Sequence, residues 1–87
     1  MADPEVIKCD ADAWTKVATD VTTGNIWILN TSPDAYLQTY RDTGEDAPSD
    51  NSDAVSVSDR SIPIAAEAGI DVYIKAVGKD GQVRVDL

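Results

Sequence analysis

Eighty-seven residues make one domain near the lower end of what folds alone, and a net charge of −9, from 16 acids against 7 scattered bases, argues against a nucleic-acid or anionic-membrane surface. A single cysteine and the absence of histidine exclude an internal disulfide and the usual zinc sites. Association with neighbours is then the expected reinforcement for so small a core. In chain order, residues 1–12 read as an extended N-terminal arm in which Val6 and Ile7 form a first edge strand. Cys9, between Lys8 and Asp10, is either an inert buried thiol or an exposed one able to bond a neighbouring subunit. Trp14 to Val21, rich in Thr and Val, predicts a strand. Thr22-Thr23-Gly24-Asn25 predicts a turn, and Ile26-Trp27-Ile28-Leu29 a second strand covered on both faces, the two making a hairpin. Asn30 to Asp34 is a break of turn formers. Tyr36 to Arg41 returns to strand, with Tyr36, Gln38 and Tyr40 on one face.

Residues 42–53, DTGEDAPSDNSD, form a polar loop with five acids and no base. Ala54 to Val57 and Ser61 to Ile64 are short strands, and Pro63, which has no N–H, belongs at a sheet edge or bulge. Ala65 to Gly69 is too short for a stable helix and reads as a turn. The alternation of Val72, Ile74 and Ala76, then of Val83, Val85 and Leu87, joined by Gly78-Lys79-Asp80-Gly81, predicts a hairpin of residues 71–77 and 82–87. The sum is an all-β fold, a small β-sandwich or jelly-roll-like barrel of seven to eight short antiparallel strands forming a single domain over residues 1–87.

No constellation of catalytic residues emerges. Triad chemistry usually needs a histidine, no lysine sits in a pocket motif beside a serine, and no glycine-rich loop opens a helix to cradle phosphate. The acids lie mainly in loops and on polar strand faces, where solvated charge explains them better than a hydrolytic pair. Asp42, Glu45, Asp46, Asp50 and Asp53 carry the oxygen ligands that calcium takes, without the spacing of a helix–loop–helix site, so a flexible surface loop is the simpler reading. No metal and no cofactor is expected, and the protein is expected not to be an enzyme. MADPEVIKCDADAW has neither the basic region nor the apolar run of a signal peptide. No stretch approaches the roughly 20 apolar residues of a membrane helix, so assembly in a cytosol is expected.

The aromatics are the strongest pointer. If Ile26 and Ile28 face the core, Trp27 and Leu29 face away; the same alternation turns Tyr73 outward and sets Tyr36 and Tyr40 together. Trp and Tyr are enriched in contact hot spots, so Trp27, Leu29, Tyr36, Tyr40 and Tyr73 are candidate interface residues. Trp14 looks more like a core or capping residue.

The segments AWTKVATDVTTGNIWILNTSPDAYLQTY and IDVYIKAVGKDGQVRVDL, together a little over half of the chain, resemble small virion structural proteins of tailed bacteriophages. They share with them a tryptophan-led strand, a T-T-G turn, an N-T-S break and a terminal G-x-V-R-V strand. The resemblance implies a capsid decoration (cement) protein, or a neck, tail or baseplate component, assembled in the bacterial host cytoplasm and carried in the virion. Its expected partners are the major capsid protein or other virion proteins and further copies of itself, with no nucleic acid and no membrane. It implies no active-site residues. The competing expectation is a carbohydrate-binding or adhesin-like β-sandwich, in which surface aromatics stack on sugars.

Overall fold

Two runs of β-branched and small residues, of 15 and 17 residues, are longer when extended at about 3.3 Å per residue than the 31 Å length of the molecule, and they organise everything else. The computed structural model describes residues 5–57 and 60–87, with the side chains of residues 65 and 66 outside the description. The strands are β1 (Glu5–Cys9), β2 (Trp14–Ile28), β3 (Ala35–Asp42), β4 (Val55–Val57), β5 (Ser61–Val77) and β6 (Gly81–Asp86). They form one antiparallel sheet in the order β1-β6-β2-β5-β3-β4.

β2 and β5 pair along nearly their whole lengths, from Trp14↔Lys75 to Trp27↔Ser61. Their ladder shifts register between Lys16 and Ala18, between Ala18 and Val21, and between Val21 and Thr23. Irregularities of this kind bend a strand and sharpen its twist. Asp20 sits within this stretch at φ 51°, a left-handed conformation that aspartate tolerates better than most residues. The bend divides the sheet into two packed halves. One is β1-β6-β2-β5, built on Asn25–Ile28 of β2 and the start of β5. The other is β2-β5-β3-β4, built on the start of β2 and the end of β5. Ile26, Val83 and Val85 from the first half meet Tyr36, Val72, Ile74 and Ala76 from the second in a single core, with Cys9, Val17, Val21, Ile64 and Ile70 around them.

The all-β antiparallel class therefore holds, and every segment read as strand is strand. The connections differ. Thr22–Asn25 is not a turn: Gly24 continues the strand because the end of β6 lies against it, where a Cβ would meet the Asp86 carbonyl oxygen at 2.8 Å. Ala65–Gly69 is likewise part of β5. The expected hairpin of residues 71–77 and 82–87 does not form, because both edges of that part of β5 are occupied, by β2 on one side and β3 on the other. β6 crosses to the other half and pairs with β1 and β2 instead. The expected N-terminal arm is folded into the sheet from Glu5 onward, with Val6 opposite Arg84; residues 1–4 lie outside the described residues. Pro63 falls where expected, on a stretch of β5 paired with β2 alone.

The acidic loop is anchored across the outward face of the second half. Trp14 Nε1 donates to the Asp50 carbonyl (3.2 Å), Lys75 to Asn51 Oδ1 (2.8 Å) and Arg41 to Asp53 (2.8 Å). Beneath it Asp71, 1% exposed, accepts from the backbone N–H groups of Asp20 (3.0 Å) and Gly44 (3.5 Å) and from the Thr43 hydroxyl (3.4 Å), and faces Lys16 Nζ at 3.3 Å. A buried carboxylate survives only when satisfied in this way.

Two outcomes follow from this packing. A Cβ at Gly81 would meet the Tyr36 ring at 2.8 Å, so Gly81→Ala is expected to cost about 1–3 kcal/mol through overpacking, read as a lowered urea midpoint. The bond from the Asp20 N–H, followed by the Lys16 contact, holds the Asp71 carboxyl below its ordinary value. A depressed carboxylate stabilises the fold above its unfolded pKa of about 3.9 and loses that contribution as pH falls through the folded value. The melting temperature should therefore drop on acidification below about pH 4, and Asp71→Asn should melt lower at neutral pH and show a shallower acid limb.

Candidate functional site: the Trp27 face

Alternation in β2 sends Ile26 into the core and Trp27 out of it. The register then determines Trp27's neighbours. Arg84 of β6 stands opposite Trp27 on one side and Ser61 of β5 on the other, while Val6 of β1 stands opposite Arg84. Paired residues in an antiparallel sheet project to the same face, so Val6, Arg84, Trp27 and Ser61 form a row across the outward side of the first half. Leu29, the residue after β2, extends it, its N–H bonded to the Gln82 carbonyl at 3.0 Å. Val6 is 57% exposed, Leu29 46% and Trp27 36%.

At the centre the Arg84 guanidinium lies over the Trp27 ring, 5.3 Å from its centroid, a stacking worth about 0.5–1 kcal/mol at an exposed site. Arg84 Nη2 also reaches Asp86 Oδ2 at 3.1 Å. Arg84 Nε and Asp86 Oδ1 are buried and have no hydrogen-bond partner among the described residues. At the rim Lys8 pairs with Asp80 at 3.2 Å. In a molecule of net charge −9, this face balances its charges and displays a tryptophan, an arginine and two aliphatic side chains. That is the composition of the energetic centre of a protein contact, where Trp and Arg are over-represented and unpaired acids are scarce.

The five residues singled out from the sequence do not form one surface. Trp27 and Leu29 lie on this face. Tyr36 and Tyr73 are each only 4% exposed, which removes both from any contact surface of the folded chain. Tyr36 points into the core opposite Ala76, its hydroxyl donating to the Asn30 carbonyl. Tyr73 does turn away from the core, but the acidic loop is anchored around it by Trp14, Lys75 and Arg41, and Lys16 Nζ stands 5.8 Å from its ring centroid. Tyr40 is exposed at the β3 edge of the other half. Val6 and Arg84 were missed. Nothing local marks them; they join Trp27 only through pairing between the first strand and the last.

Among the described residues no three carboxylate or thiol side chains converge to hold a metal ion. Two of the loop acids are engaged within the chain. The Asp53 carboxyl is drawn below the usual range by its bonds from Arg41, and Asp50 by the bonds it accepts from Ser52. Cys9 is fully buried in β1; burial, and then the nearby Asp10 charge, push its thiol up to about 11. The thiolate is the reactive form, so Cys9 is expected to ignore an aromatic disulfide reagent at pH 8 in the native protein and to react with one equivalent in denaturant. Stoichiometric labelling of the folded chain would contradict the burial.

The chain matches no protein-family model, no curated protein and no solved structure.

Proposed function

We propose that this protein is a structural component that docks onto a repeating shell through its Trp27 face, and that the shell is the head of a tailed-phage virion, where the protein serves as a capsid decoration protein. The observation that carries the docking role is the stacked Trp27–Arg84 pair, set between exposed Val6 and Leu29 on a charge-balanced face. Two buried polar atoms at its centre, Arg84 Nε and Asp86 Oδ1, lack partners among the described residues, and a contact that supplied them would remove a cost the free domain bears. The more specific assignment to a virion rests on the resemblance carried by residues 13–40 and 70–87. In this reading the partner is the major capsid protein or another virion protein, identical copies occupy equivalent lattice positions, and the role is not catalytic. Each copy bridges neighbouring shell subunits, so local opening of the shell requires breaking the added contacts as well.

Two measurements test this. The copy number of the chain in purified particles should stand near one per shell subunit, or at a simple fraction of that number. A ratio of a few per cent moves the protein to the neck, tail or baseplate, and absence from particles ends the virion reading. Trp27→Ala removes the stack on Arg84 and should lower the melting temperature by only several degrees, leaving the domain folded, while weakening incorporation by about 2 kcal/mol or more, roughly thirtyfold in affinity. A folded Trp27→Ala protein that incorporates normally sinks the assignment of the face.

A further inference from the structure

The core side of the sheet is left open at the β3–β4 edge. Gln38 and Tyr40 of β3 stand opposite Ile74 and Val72 of β5, both fully buried in the core. On its other side Gln38 stands opposite Val55, the first residue of β4. Because paired residues share a face, Gln38, Tyr40 and Val55 all project to the core side. Yet Val55 is 65% exposed and Tyr40 39%. Between them lies a cleft of about 430 Å³ lined by Gln38, Thr39, Tyr40, Asp53 and Val55, within the roughly 300–1,000 Å³ usual for small-molecule sites. Gln38 is 7% exposed, and its Nε2 is buried with no hydrogen-bond partner among the described residues. Native proteins rarely leave a buried amide donor in that state.

The lining selects the chemistry of an occupant. A purely apolar ligand would leave Gln38 Nε2 unpaired. An anion would meet the overall negative field of a chain of net charge −9. A cation gains little, because Arg41 already neutralises Asp53 through contacts of 2.8 and 3.2 Å. An added peptide strand is disfavoured because Arg41 Nη1 takes the Tyr40 carbonyl at 2.8 Å and the Thr39 hydroxyl at 3.0 Å, occupying the edge such a strand would use. What remains is a neutral ligand with several hydroxyls and an apolar face.

We propose that this cleft binds a saccharide unit. Gln38 Nε2 donates to a sugar oxygen, the Asp53 carboxylate accepts from a neighbouring hydroxyl while Arg41 holds it in place, and the Tyr40 ring and Val55 cover the C–H face. The site lies at the β3–β4 edge of the second half and does not depend on how the Trp27 face is used.

The test is titration of the isotope-labelled full chain with glucose, galactose and N-acetylglucosamine, each to tens of millimolar, following the side-chain amide resonances of Gln38. At least one sugar should shift them saturably, together with the backbone signals of Tyr40 and Val55. Gln38→Leu keeps the side chain's bulk and removes the unpaired amide; it should fold and abolish the response at Tyr40 and Val55. Tyr40→Ala, at an exposed position, should weaken binding about tenfold or more and carries the test if Gln38→Leu fails to fold. Silence from all three sugars overturns the proposal, as does binding that survives in both variants. So does a saturable response to acetyl-(Val-Thr)3-amide with none to the sugars, which would assign the cleft to strand addition.

Discussion

The paired run of β2 and β5 is the constraint on which the rest of the molecule depends. Two strands of this length cannot stay flat and also enclose a core, so their ladder breaks register three times between Lys16 and Thr23. Everything outward of that bend is set by it. The C-terminal part of β2 offers an edge to β6, the C-terminal part of β5 offers one to β3, and the two halves close over Ile26, Ile74, Val72 and Val83. Asp71 lies near the bend, beside the residues that depart from regular pairing, and ties the backbone of Asp20 to that of Gly44. A single carboxylate thus joins the irregular stretch of β2 to the start of the acidic loop.

The same arrangement separates two outward faces of different character. Over the second half the loop of residues 43–54 is pinned by Trp14, Lys75 and Arg41 and covers Tyr73. Over the first half no loop of the described residues is anchored in this way, and Trp27, Leu29 and Val6 stand exposed beside Arg84. The covered face uses its aromatic to complete the fold, whereas the uncovered one leaves its aromatic available. A cationic head serves each face, the Lys75 ammonium over Trp14 and the Arg84 guanidinium over Trp27, each 5.3 Å from a ring centroid.

Alternation alone was enough to find the strands and to turn Trp27 and Leu29 outward, because side-chain direction along a strand is a local property. Pairing is not local. Gly24 and Gly69 read as turn residues, but Gly24 is used for the close passage of the β6 backbone, and Gly69 for the Asp20 side chain. The pattern of residues 71–77 and 82–87 suits an antiparallel neighbour without saying which, and the edges of β5 were already taken. Burial is not local either. The outward direction of Tyr73 was legible, but the loop lying over it was not. The shared face of Tyr36, Gln38 and Tyr40 was legible too; that it is the core side, closed at Tyr36 and open at Tyr40, depends on where β4 begins.

The pairing of β1 with β6 carries a consequence for how the chain reaches this state. Val6 finds its partner at Arg84, and Cys9 lies opposite Gly81, so the earliest strand has no ladder to join until the last one has left the ribosome. Until then Ile7 and Cys9 have no sheet to cover them. Ladders between such distant segments must close a long loop before any contact rewards it, which slows folding. The domain therefore closes only once β6 is in place, and the β1 segment is the part most in need of shielding on the way.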